Sequence, residues 1–167
     1  MGALLTVDDF LVHSKLIKVL HGQRFNVICA SDVSSGLAAV EKLHERVASL
    51  SVEEAWGETL VCAILDFKMP EAPGDPAVEH GGEEIARQIR DLVWPQTPQG
   101  QPWQPEIAFW SIHFNRSRLA AKNVESLKAQ AIAAKYYATG IGRDASDTAI
   151  EEFIEKAEQV YIRKGKV

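Results

Sequence analysis

A parallel β-sheet with helices packed on both faces is the architecture this sequence predicts. Three observations carry that reading. Short apolar runs suited to buried strands alternate with stretches whose apolar residues recur at helical spacing. The run L-V-C-A-I-L within Leu60–Asp66 is too short for a membrane span and, with Val61 and Ile64, suits a strand buried on both faces. Acids stand at the ends of two runs, Asp8-Asp9 after Ala3–Val7 and Asp66 at the end of Leu60–Asp66. Open α/β sheets bind their ligands beyond the carboxyl ends of the strands.

In chain order, Ala3–Val7 is the first strand. A helix carrying Val12, Leu16, Ile17 and Leu20 follows, and Gly22 stops it as a C-cap glycine does. Phe25–Ala30 is the second strand, after which Asp32 or Ser34 caps a helix with Leu37, Val40, Leu43 and Val47 on its apolar face. Ser51–Thr59 reads as a polar connection whose Trp56 packs down onto the domain. The central strand Leu60–Asp66 ends where Met69-Pro70 turns the chain away, because proline has no N–H for the ladder and restricts the residue before it.

After the loop Glu71–Gly82, Ile85, Ile89, Leu92 and Val93 define a helix face. Glu83 and Glu84 fall in its first turn, where the macrodipole favours anions, and Trp94-Pro95 ends it. Gln96–Pro105 is a proline- and glutamine-rich surface loop, and Glu106–Trp110 is a fourth strand ending at Ser111. Arg116–Lys128 forms a weakly amphipathic helix and Lys135–Ala138 a short fifth strand. The last helix, Ala145–Arg163, carries Ile150, Phe153, Ile154, Ala157, Val160 and Tyr161. Parallel strands need crossovers, and crossovers are right-handed, so this alternation specifies one doubly wound sheet.

The 167 residues suit one domain, 1–167, with longer connections at about 51–59, 71–82 and 95–105. With 46% hydrophobic and 25% charged residues the composition is that of a globular protein. A net charge of −5 offers no basic surface for nucleic acid. Cys29 and Cys62 lie in apolar runs and read as small buried hydrophobes, which suits a reducing cytoplasm. The N-terminus lacks the basic region of a signal peptide, and no membrane anchor is expected.

With the flavodoxin-like strand order 2-1-3-4-5, strands one and three are neighbours and Asp8, Asp9 and Asp66 converge. Three crowded carboxylates repel unless a cation screens them, and oxygen ligands of this kind suit Mg²⁺. An aspartate held beside such an ion is a candidate phosphoryl acceptor. Ser111, at the tip of strand four, either donates its hydroxyl to a phosphoryl oxygen or caps the following helix. His113 is close enough to influence hydrolysis. His13, His21, His44 and His80 show no metal-ligand spacing and read as surface or helix-face residues.

On V-D-D at Val7–Asp9, L-D-F-K-M-P at Leu65–Pro70, Ser111 and Tyr136, the chain resembles, over nearly its whole length, the CheY-like receiver domain of two-component response regulators. That resemblance implies Asp66 as phosphoacceptor, and Asp8 and Asp9 as magnesium ligands with Asp66 and the backbone carbonyl of Lys68. It implies Ser111 as the hydroxyl that moves to the phosphoryl group. Tyr136 would be the aromatic switch, with Tyr137 competing for the role.

Receivers carry Lys-Pro after the fifth strand, whereas this chain has Thr139-Gly140. The segment Y-A-T-G at Tyr137–Gly140 is similar to the lysine-lacking single-domain receivers called the FATGUY group. Thr139 is then a candidate hydrogen-bond donor to the phosphoryl group. Lys68 is either a solvated loop residue or an ammonium that overhangs the site, partly replacing the absent lysine or shielding the acyl phosphate from water.

The expected function is a single-domain receiver in a cytoplasmic phosphorelay. It takes a phosphoryl group from a sensor histidine kinase or phosphotransfer protein, then contacts a downstream protein target or drains phosphate from the relay. It is expected to be a monomer or weak dimer, to bind neither nucleic acid nor membrane, and to be no enzyme beyond its own phosphorylation and dephosphorylation. The alternative is a degenerate receiver that works as a phosphorylation-independent interaction module. A haloacid-dehalogenase-like phosphatase would want a second acid two residues after Asp66, where Lys68 stands.

Overall fold

The computed structural model describes residues 1–146 and 148–166. Its first half runs β1 (Ala3–Val7), α1 (Leu11–His21), β2 (Asn26–Ala30), α2 (Val33–Ala48), α3 (Val52–Glu58) and β3 (Leu60–Leu65). A hairpin of β4 (Met69–Pro70) and β5 (Ala77–Val78) follows, then α4 (Gly81–Asp91) and β6 (Glu106–Trp110). The chain closes with α5 (Arg116–Ala120), α6 (Val124–Lys135), β7 (Thr139–Ile141) and α7 (Thr148–Gly165).

Five strands form one parallel sheet in the order β2-β1-β3-β6-β7, which is the expected 2-1-3-4-5 once the small hairpin is set aside. Both faces are covered. Leu5, Val7, Ala63, Leu65 and Phe109 face α2, α4 and α6, which contribute Val40, Ile85, Ile89 and Ala129. Leu4, Cys62, Ile64 and Ala108 face α1 and α7, which contribute Ile17, Ile150, Ile154 and Ala157. This two-sided burial is why the central strands read as continuous apolar runs.

Local chemistry explains the element ends. Asp32 caps α2, its side chain accepting from the Ser35 N–H at 2.7 Å, which decides between the two expected caps. The expected polar connection 51–59 is the helix α3, closed by a capping box in which Ser51 and Glu54 bond each other's backbone N–H. Trp56 packs down as expected, stacked on Tyr161 at 4.8 Å with Trp103 edge-on at 5.1 Å. The α1 face differs from expectation: Ile17 is buried, while Val12, Leu16 and Leu20 are exposed. Val93 lies beyond the end of α4 and is exposed. Cys62 is buried but Cys29, on the edge strand β2, is exposed.

The largest correction concerns the fifth strand. The expected helix 116–128 is broken at Lys122, whose φ is 53°, and restarts as α6 under an Asn123 cap. The small residues Ala131, Ala133 and Ala134 therefore lie inside α6. Tyr136 caps that helix, and Tyr137 takes a left-handed φ of 54°. The Tyr137 N–H donates to the Ala134 carbonyl at 3.2 Å and the Ala138 N–H to the Ala133 carbonyl at 2.8 Å, a Schellman closure. Residues 135–138 are thus a helix end, and the strand is Thr139–Ile141. Among the described residues no helix is long and apolar enough to cross a membrane.

Candidate functional site

The site lies at the carboxyl ends of the strands. Each of its main residues sits one position past a strand and is still held by the ladder. The Asp8 N–H donates to the Ala30 carbonyl at 3.1 Å, the Asp66 N–H to Val7 at 3.0 Å and the Ser111 N–H to Ile141 at 3.0 Å. Three side chains from three strands are therefore placed by backbone hydrogen bonds rather than by loop conformation. Phe67, fully buried and stacked on Phe109 at 4.4 Å and Phe114 at 5.7 Å, anchors the turn after Asp66.

The expected acid cluster forms: carboxylate oxygens of Asp8, Asp9 and Asp66 lie within 4.8 Å of one another. Asp8 is 3% exposed, while Asp9 is exposed. Burial, then the charge of Asp8, pushes the Asp66 carboxyl up to about 7 against the pull of Arg143. Burial and Asp8 also raise Asp9. In both, burial penalises the charged form first and the neighbouring acid second.

Asp66, Lys68, Ser111, His113 and Arg143 line one cleft of about 550 Å³. Ser111 is buried and its Oγ accepts from the His113 N–H at 3.3 Å, capping the 3₁₀ turn Ile112–Phe114. As that oxygen accepts there, its proton is left to donate into the cleft. His113 is buried, with Nε2 2.8 Å from Glu79 Oε1. Lys68 is exposed at the rim.

Two expected site residues are elsewhere. Thr139 opens β7 opposite Ala108, two residues short of the strand tip at Trp110 and Ile141, and lines a shallow groove with Phe153 and Lys156 of α7. It cannot reach Asp66's cleft because the strand begins, rather than ends, at this residue. Tyr136 is buried under α4 instead of lying in a strand. Its hydroxyl donates to Glu83 Oε1 at 3.1 Å and accepts from Arg87 Nε at 3.3 Å, and its carbonyl accepts from Arg90 Nε at 2.8 Å. It is a clamp between α6 and α4. Tyr137 is exposed.

Two residues of the site escaped the sequence reading. Arg143 donates to Asp8 Oδ2 at 2.6 Å and lies 3.4 Å from Asp66 Oδ2. His13 sits with Nδ1 3.1 Å from the same Asp8 oxygen and 2.9 Å from Arg143. It is thus a site residue rather than a mere helix-face histidine. Arg143 was hidden by the misplaced strand: once β7 ends at Ile141, it is the second residue past the tip.

The donor set fits a hard divalent cation, being all carboxylate oxygen at a spacing one ion can span. Arg143 already satisfies part of it, so the acids are arranged for a cation even without a metal.

No family model matches the chain, and no curated protein matches it in sequence. Solved structures do. A response regulator receiver domain protein from Clostridium thermocellum is 19% identical over 96% of both chains, with a TM-score of 0.58. A CheY-like receiver domain protein from Methanospirillum hungatei is 16% identical over 99% of both, with a TM-score of 0.57. The chemotaxis protein CheY4 of Vibrio cholerae is 18% identical over 96% of this chain and 98% of its own, with a TM-score of 0.55. At such identities the likeness speaks for architecture alone, and the architecture is that of response regulator receiver domains.

Proposed function

We propose that the chain is a phosphoacceptor receiver of the lysine-lacking FATGUY type, loaded on Asp66 by a sensor histidine kinase or phosphotransfer protein in the cytoplasm. It then acts through contact with a protein target or by draining phosphate from a relay. The observation that carries this reading is the convergence of Asp8, Asp9 and Asp66 within 4.8 Å at adjacent strand tips, beside the buried Ser111.

In the transfer, an Asp66 carboxylate oxygen forms a bond to phosphorus as the donor's N–P bond breaks. The electron pair stays on the leaving imidazole nitrogen, which takes up a proton. Asp8, Asp9, Asp66 and the Lys68 carbonyl would hold Mg²⁺, which supplies neutralisation of the phosphoryl oxygens when bound. Ser111 donates its hydroxyl to one of those oxygens. His113 and Lys68, which both line the cleft, govern how readily water attacks the acyl phosphate. The chain takes the phosphoryl group onto itself and turns over no other substrate.

The test is incubation with Mg²⁺ and a small phosphodonor, followed by intact-mass measurement. One phosphoryl group is expected on the wild type and none on Asp66→Asn. An unmodified wild type would favour the second reading, a phosphorylation-independent interaction module. The observation on that side is the ion pair of Arg143 with Asp8, which places a positive charge in the cluster without a metal.

A further inference from the structure

The Arg143 guanidinium lies inside the acid cluster and its side chain is only 17% exposed. One terminal nitrogen serves Asp8 at 2.6 Å and Asp66 at 3.4 Å, and the other lies 2.9 Å from His13 Nδ1. The guanidinium carbon rests 4.0 Å from the centre of the Trp110 ring. That seat holds the cation by its face and leaves its edge of N–H donors free to change partners. A guanidinium and a divalent ion cannot occupy the same carboxylates, since charges of one sign a few ångströms apart in a half-buried site repel strongly.

We propose, on the basis of the phosphoacceptor reading above, that Arg143 is a tethered counter-ion of this site. It holds Asp8 and Asp66 in the free protein, yields them to a divalent cation, and turns on the Trp110 ring to bond the phosphoryl oxygens on Asp66. Arg143 thereby supplies a positive charge already beside Asp66, whereas Thr139 lines another groove and Lys68 stands exposed at the rim of the cleft. The planar fork matches two phosphoryl oxygens at once.

The experiment measures Mg²⁺ affinity by equilibrium dialysis, and beryllofluoride affinity at saturating Mg²⁺, in the wild type, Arg143→Gln and Arg143→Lys. Arg143→Gln is expected to bind Mg²⁺ about tenfold tighter and beryllofluoride about tenfold more weakly, with Arg143→Lys returning both toward wild type. A merely structural role moves both affinities the same way, and that result overturns the proposal. Equal Mg²⁺ affinities also overturn it, while leaving the phosphoacceptor reading intact if Asp66 still loads. Failure of wild-type Asp66 to load sinks that reading, and the proposal with it. In the unmutated protein the Arg143 guanidinium NMR resonance should move on Mg²⁺ titration; a stationary resonance overturns the proposal even where Arg143→Gln does not fold.

Discussion

Gly82 lies directly against the carbonyl of Asp66, so that a Cβ at this position would land on the oxygen. Its N–H donates to the neighbouring Phe67 carbonyl at 3.2 Å. The first turn of α4 thus presses on the backbone that presents the acceptor acid. Because that neighbour is backbone and cannot rotate away, Gly82→Ala should cost roughly 1–3 kcal/mol of stability. It should also weaken beryllofluoride binding. A denaturation curve and a fluorescence titration check both, and wild-type values in each would remove the clamp.

Asp66 sets a pH dependence. Its folded pKa, pushed up to about 7, stands above the unfolded value of about 3.9. Across that window the folded chain binds more protons than the unfolded one, so stability falls as pH rises. The contribution is complete below about pH 4 and lost as pH passes about 7. In chelator, Asp66→Asn should be more stable than wild type at pH 8 by about 5 °C in melting temperature. The advantage should vanish near pH 4. A difference independent of pH would contradict the raised pKa.

Ser111 and Thr139 separate cleanly. Ser111→Ala removes a hydroxyl from the cleft and should slow loading from a small phosphodonor by about tenfold or more. Thr139→Ala, in the groove against α7, should leave that rate within about twofold. Rates from mass spectra taken over time decide it, and equal effects would mean Thr139 reaches the phosphoryl group.

Tyr136→Phe tests the clamp assigned to this residue in place of a switch. It loses the partly buried hydroxyl bonds to Glu83 and Arg87, worth about 1 kcal/mol together. Chemical denaturation should register that loss while the fluorescence response to beryllofluoride survives. A response abolished in a stably folded variant would restore the switch.

Lys68 stands exposed at the rim of the cleft. If its ammonium shields the acyl phosphate, Lys68→Ala should lose its phosphoryl group about twofold to tenfold faster. An unchanged lifetime, followed by acid-quenched mass spectrometry, would leave it a solvated loop lysine.

Much of the fold was legible because its signals are local. Apolar runs, helical spacing and acids at run ends depend on residues close in sequence, and they located β1, β2, β3 and β6 to within a residue. The capping box of Ser51 and Glu54 is equally local, although the polar composition of the segment reads as a connection. The α1 face misled because hydrophobicity places a residue on a helix face but cannot say whether another element covers it. Val12, Leu16 and Leu20 stay exposed among the described residues.

What the sequence by itself determined is the alternation of strands and helices, and with it the meeting of Asp8, Asp9 and Asp66, since the topology of a doubly wound sheet brings those strand tips together. What only the tertiary structure decided is which cation answers them. Tyr137 takes the left-handed turn that ends α6 and leaves β7 to begin at Thr139, and Arg143, just past that strand, meets Asp8 across 135 positions of chain. A turn of one residue moves every position after it, and an ion pair between distant residues leaves no periodic trace in the sequence.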